Sequence, residues 1–96
     1  MQIHYTGKNL EVTPALKEIT QEKFNRLIHR HKNIKTVYIV FQVENLTHHA
    51  EVTVHLDGVD FHASAKADDM YQAVDLLIDK LSSQLIKHKD RTKDHH

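Results

Sequence analysis

Ninety-six residues with 40% apolar side chains suffice for one compact domain with a single core, and a second domain is not expected. Thirteen basic residues balance thirteen acidic ones and there is no cysteine, which excludes a disulfide framework and a thiol nucleophile and suits a cytoplasmic protein. Met1-Gln2-Ile3-His4 lacks the basic-then-apolar pattern of a signal peptide, and the longest apolar run, Val37 to Phe41, is far too short for a membrane span.

A first strand is expected near residues 2–6. Thr13 then offers an N-cap and Pro14 stands at the first helical position, where its missing N–H is harmless, so a helix follows near 14–32. Leu16, Ile19, Phe24 and Leu27 mark its buried side, and Lys23, Arg26 and Arg30 run at i, i+3 and i+7 along one edge. Three strands come next, near 35–46, 49–57 and 59–67. Asp57-Gly58 is a strong two-residue hairpin signal that sets Leu56 opposite Val59, Val54 opposite Phe61 and Val52 opposite Ala63, all apolar pairs. Reading Thr47-His48 as another such turn sets Val43 opposite Val52 and Phe41 opposite Val54 on the same side, where a one-residue slip would expose the set.

The last third holds the best-organised helix, near 69–90. Asp68 or Asp69 can cap it, and Met70, Val74, Leu77, Ile78, Leu81 and Leu85 recur at three-and-four spacing. At about 100° per residue, Lys80, Gln84, Lys87 and Arg91 fall on one edge of that face, with Asp75, Asp79 and Asp90 toward the other side. Lys and Arg beside an apolar face often just lay their stems over the core. The same layout on two helices, however, fits an edge aimed at a polyanion. Charge along the chain is uneven in the same sense: residues 23–43 hold Lys23, Arg26, Arg30, Lys32 and Lys35 without an acid, and residues 44–79 hold eight acids with only Lys66 as a base. Residues 80–93 set Lys80, Lys87, Lys89, Arg91 and Lys93 against Asp90 alone.

The element order βαβββα predicts an α+β fold: a four-stranded mixed sheet with two roughly parallel helices packed on one face, the first helix joining two parallel strands. His4, Thr53, His55, Asp60, His62, Ser64 and Lys66 would lie on the open face. One basic edge would line the groove between the helices and the other would extend the basic surface beside it. This architecture resembles a double-stranded RNA-binding domain with a strand and a helix in front. Asp68-Asp69 would repel the phosphate that such domains grip at the start of their last helix, so a different docking surface is expected. Order is expected over about 1–90 of a single domain spanning 1–96, with 91–96 as a flexible tail.

Ten histidines raise a metal reading, and His55, Asp60 and His62 would share one sheet face. No metal site is expected, since strand-face histidines are ordinary surface groups and neither H-E-x-x-H nor a cysteine ligand spacing occurs. His48-His49 is read as part of a turn and His95-His96 as part of the tail. Catalysis is not expected: a Gly-rich phosphate loop, a G-x-S-x-G elbow and a Cys nucleophile are absent, and Asp60, His62 and Ser64 on an open sheet lack enclosure. No cofactor is implied.

Asp69-Met70-Tyr71, Ala73, Asp75, Leu77-Ile78-Asp79-Lys80-Leu81, Gln84-Leu85 and Lys87-His88-Lys89 closely resemble the second helix of the ribosome hibernation promoting factors. Thr6-Gly7, Asn9, Glu11, Thr13 and Ala15-Leu16 match the same family, as do Val37-Tyr38 and Val43-Glu44, so the likeness covers essentially the whole chain. It looks most like the short form, because long-form relatives continue into a second domain used for pairing. A sister group of stress-induced inactivators ends in a longer acidic tail, which this sequence lacks. Ser83 departs from the pattern, relatives often carrying an arginine there. Tyr71 matches it and is assigned to packing, with its hydroxyl at the edge.

The resemblance implies a non-catalytic, cytoplasmic factor, monomeric when free, that binds the small ribosomal subunit near the decoding centre through rRNA and ribosomal proteins. It further implies exclusion of messenger and transfer RNA, repression of translation in stationary phase, and ribosome dimerisation together with a small ribosome modulation factor. Contact with rRNA would be carried by Lys23, Arg26 and Arg30 in the first helix and by Lys80, Lys87, Lys89 and Arg91 in the second. The alternative is a general RNA-binding or RNA-chaperone module not specific for ribosomes.

Overall fold

A computed structural model describes residues 2–93, with side chains through Lys89. The chain forms β1 (Gln2–Lys8), α1 (Pro14–Arg30), β2 (Ile34–Glu44), β3 (Thr47–Leu56), β4 (Val59–Ala67) and α2 (Met70–Lys93), the expected βαβββα order. The sheet runs β1-β2-β3-β4, with β1 parallel to β2 and the remaining neighbours antiparallel. Because α1 carries the chain back to begin the parallel strand β2, and α2 runs back after β4, the helices point the same way. Among the described residues no helix is long and apolar enough to cross a membrane.

Caps and turns show why the elements stop where they do. Thr13 Oγ1 accepts from the Leu16 N–H at 3.2 Å and Pro14 fills the first turn of α1. Asp69 is the cap of α2, its carboxylate accepting from the Gln72 N–H at 2.9 Å. At the β3–β4 hairpin both Asp57 (φ 53°) and Gly58 (φ 74°) are left-handed, and Leu56, Val54 and Val52 face Val59, Phe61 and Ala63 as the sequence predicts.

The β2–β3 turn differs from the expectation. It is Asn45-Leu46, with Glu44 opposite Thr47, so Phe41 faces Ala50 and Val43 faces His48 instead of Val54 and Val52. Asn45 takes a φ of 57°, a left-handed conformation that Asn tolerates and a β-branched Thr resists. Thr47 therefore pairs within β3, and His48 and His49 lie in that strand, not in a turn. Because the register moves by an even number of residues, Phe41, Val52 and Val54 keep the face assigned to them.

That face meets the helices. Val37, Ile39, Phe41, Val52 and Val54 pack with Phe24 and Leu27 of α1 and with Ala73, Val74, Leu77, Leu81 and Leu85 of α2. Removing a leucine such as Leu77 or Leu81 from water contributes roughly 1.5–3 kcal/mol per side chain, so α2 is fixed in rotation by its apolar stripe. Thr20, unanticipated in the core, is fully buried and donates its hydroxyl to the Leu16 carbonyl at 2.7 Å, while Ile19 is only half-buried. α1 ends at Arg30 rather than near 32, closed by the His31 N–H on the Leu27 and Ile28 carbonyls. α2 continues to Lys93, into the segment expected as a tail; residues 94–96 of that tail lie outside the described residues.

Candidate RNA-binding surface

Burial of Phe24 and Leu27 turns Lys23, Arg26 and Arg30 toward α2, where they line one wall of an interhelical groove. The opposite wall carries Asp75, Ile78, Asp79 and Ser82 of α2. The groove is therefore basic on one side and acidic on the other. Lys23 Nζ pairs with the Asp75 carboxylate, a solvent-open contact that an incoming phosphate could replace at little cost. Arg26 and Arg30 are exposed and have no carboxylate partner among the described residues.

The basic edge of α2 faces away from α1, over the edge strand β4. Lys80 Nζ donates to the Ser64 carbonyl at 2.8 Å and Gln84 Nε2 to the His62 carbonyl at 2.8 Å. These bonds occupy acceptors on the outer side of an edge strand and blunt its tendency to pair with another chain. An ammonium keeps further donors after one such bond, so Lys80 can hold Ser64 and still meet a phosphate. Lys87 lies farther along, beside Gln84, His88 and the β4 residues Val59 and Phe61. Lys89 sits on the other flank of α2, with Arg30 and His31. The Arg91 side chain lies outside the described residues. Ser83 is exposed, and Tyr71, 44% exposed, packs only part of its ring.

At the end of α1 the structure brings two of the expected RNA contacts, Arg30 and Lys89, into one group. His29, Arg30, His31 and Lys32 meet Lys89 of α2 around an open hollow of about 410 Å³. Asp57 of the β3–β4 turn pins its far side: Asn33 Nδ2 donates to Oδ1 at 3.2 Å, and His88 Nε2 lies 3.4 Å from Oδ2. The His88 ring also meets Phe61 edge-on, 5.1 Å between centroids. Burial holds the His31 imidazole below the usual histidine range, and Lys89 and Arg30 push in the same direction. The sequence signal is the acid-free run 23–43, which includes Arg30 and Lys32; that this run meets Lys89 depends on how α1 and α2 pack.

On the open face, His4, Tyr38, Thr53 and His62 form one row across all four strands. His4 stacks on Tyr38 with centroids 4.9 Å apart, and His55 meets Tyr38 edge-on at 5.8 Å. His55 bonds Asp60, whereas His62 Nδ1 lies 2.9 Å from Thr53 Oγ1 instead of turning to that pair. Among the described residues no three His, Asp or Glu side chains converge as metal ligands would. Tyr38, 45% exposed, belongs to this face by strand alternation and was missing from the expected set.

Comparison with known proteins adds to this geometry. Residues 3–93 match the model of the family described as sigma 54 modulation protein / S30EA ribosomal protein. A ribosome hibernation promoting factor of Escherichia coli (strain K12) is 48% identical over 95 residues, covering 99% of this chain and 100% of that protein. Another, from Azotobacter vinelandii, is 43% identical over 91 residues, covering 95% of this chain and 85% of that protein. Among solved structures, a ribosomal subunit interface protein from Coxiella burnetii superposes with a TM-score of 0.85 at 37% identity, covering 94% of this chain and 99% of that chain. The N-terminal domain of Thermus thermophilus Protein Y superposes with a TM-score of 0.83 at 28% identity, covering 92% and 99%.

Proposed function

The chain belongs to the sigma 54 modulation protein / S30EA ribosomal protein family, and from that premise we propose that it is a ribosome hibernation factor acting on the small subunit. The full-length match to ribosome hibernation promoting factors carries this reading. The surface supplies a mechanism. Arg26, Arg30 and Lys89 on the inner side of α2, and Lys80 and Lys87 on its outer side, grip folded rRNA by its phosphates, with Arg91 as the further contact that the sequence pattern implies and Lys23 joining when Asp75 is displaced. The body of the domain then stands over the messenger and transfer RNA sites near the decoding centre and excludes both.

No bond is made or broken in this scheme, so the outcome is an idle ribosome whose recovery needs only dissociation. We extend the proposal to a cytoplasmic, free monomer that represses translation in stationary phase and favours ribosome pairing together with a ribosome modulation factor. Co-sedimentation of the purified chain with small subunits, intact ribosomes and free rRNA over a salt series tests it. Binding should favour subunits and ribosomes over free rRNA. The slope of log affinity against log salt should steepen by roughly 0.7–0.9 for each phosphate contact. Binding to free RNA alone would instead identify a general RNA-binding module.

A further inference from the structure

The hollow at the end of α1 is more than an extension of the interhelical groove. Its floor is apolar, formed by the buried Leu56 and Leu85, and its rim carries Arg30, Lys32 and Lys89. Among the described residues Asp57 is the one carboxylate lining it, and Asn33 and His88 already hold that group. None of the three cations has a carboxylate partner among the described residues. Three cations less one carboxylate leave a net charge of two before any histidine is counted. The carbonyl end of α1 subtracts roughly half a charge, which does not reverse the sign. Cations gathered over an open hollow without internal neutralisation gain from a shared anion.

The geometry points to a phosphate-binding site, in which Arg30, Lys32 and Lys89 hold a phosphate group above the Leu56–Leu85 floor and His31 joins as a donor that takes up a proton when the phosphate enters. His31 is faced by His29, Arg30 and Lys32 from its own segment, by Asp57 from the β3–β4 turn, and by His88 and Lys89 from α2. Burial first, then Lys89 and Arg30, hold its proton affinity low. An anion among those cations cancels their field at the imidazole and raises that affinity. By linkage, the protonated imidazole then tightens the anion. Arg30 and Lys89 belong to the surface assigned to RNA, so the inference rests on that reading and adds a defined subsite to it. The phosphate comes either from an RNA backbone or from a free phosphate group.

An NMR pH titration of the histidine rings in the full chain, at constant ionic strength, tests the site. Replacing chloride with inorganic phosphate should raise the His31 midpoint by about half a pH unit or more and move His62, on the open face, much less. Arg30→Gln with Lys89→Gln should raise the His31 midpoint in chloride alone, because two opposing charges are gone, and should abolish the response to phosphate. An otherwise unchanged amide spectrum verifies that the variant is folded. A 5′-hydroxyl RNA oligonucleotide that reproduces the rise assigns the phosphate to a backbone; a rise with inorganic phosphate but not with the oligonucleotide assigns it to a free group. A His31 midpoint that responds to neither probe, or no more than His62 does, overturns the site. No ribosome enters this readout. A silent His31 beside normal ribosome sedimentation removes the subsite alone, whereas a responsive His31 in a chain that ignores ribosomes keeps the subsite and removes the hibernation reading.

Discussion

Asp75 holds the Lys23 ammonium across the interhelical groove, so a phosphate that uses Lys23 must displace a carboxylate. Asp75→Asn should release Lys23 and raise ribosome affinity roughly two- to five-fold, while stability changes by no more than about 1 kcal/mol because the pair is open to solvent. Quantitative sedimentation and a thermal melt check the two parts, and weaker binding would show that Lys23 serves the helix contact instead of RNA. His55→Gln with His62→Gln should leave ribosome binding nearly unchanged, since both lie on the sheet face away from the helices. Lost binding would put that face in the interface. His31 governs a different observable. Its proton affinity is lowered in the fold, so the unfolded chain takes the proton more readily. Its contribution is intact above the ordinary histidine pKa of about 6.5 and is lost as the pH falls below it. Denaturant unfolding at several pH values should show His31→Gln with a flatter acid limb than the parent; an equal slope would mean that other groups set it.

Single elements explain what could be read in advance. The stripe Val74, Leu77, Leu81 and Leu85 was legible because its period holds for several turns, and each of these side chains is fully buried. Leu81→Ala should cost about 2–5 kcal/mol in chemical denaturation; a loss well under 1 kcal/mol would mean that α2 is not seated as described. Gly58 was legible as a hairpin residue for a backbone reason. An added Cβ there meets nothing within 4 Å, but φ is +74°, so Gly58→Ala should cost about 1 kcal/mol through conformation alone. The β2–β3 turn was misread because two candidate pairs, Asn45-Leu46 and Thr47-His48, differ by an even step. Both keep the apolar faces consistent, and only the left-handed tolerance of Asn45 separates them. Helix edges were legible for the same local reason as the stripe. What each edge faces was not: the pairing of Lys23 with Asp75, the bond of Lys80 to Ser64 and the meeting of Lys89 with Arg30 depend on how α1, α2 and β4 pack.

At the scale of the molecule, α2 divides the basic surface. Arg26, Arg30 and Lys89 lie on its inner flank and Lys80 with Lys87 on its outer one, while its ridge carries Leu76 at 45% and Ile86 at 50% exposure. RNA that meets both flanks must straddle this helix, which a folded rRNA surface can do more readily than a single flexible strand. The central claim is that the outer flank grips the small subunit. The most direct measurement is co-sedimentation with small subunits, alongside a translation assay, of the chain carrying Lys80→Glu, Lys87→Glu and Arg91→Glu. Circular dichroism should show a folded variant, with a loss of about 1 kcal/mol where Lys80 leaves the Ser64 carbonyl. Sedimentation and translation inhibition should both vanish. A folded triple variant that still sediments with small subunits and still blocks translation would contradict the account.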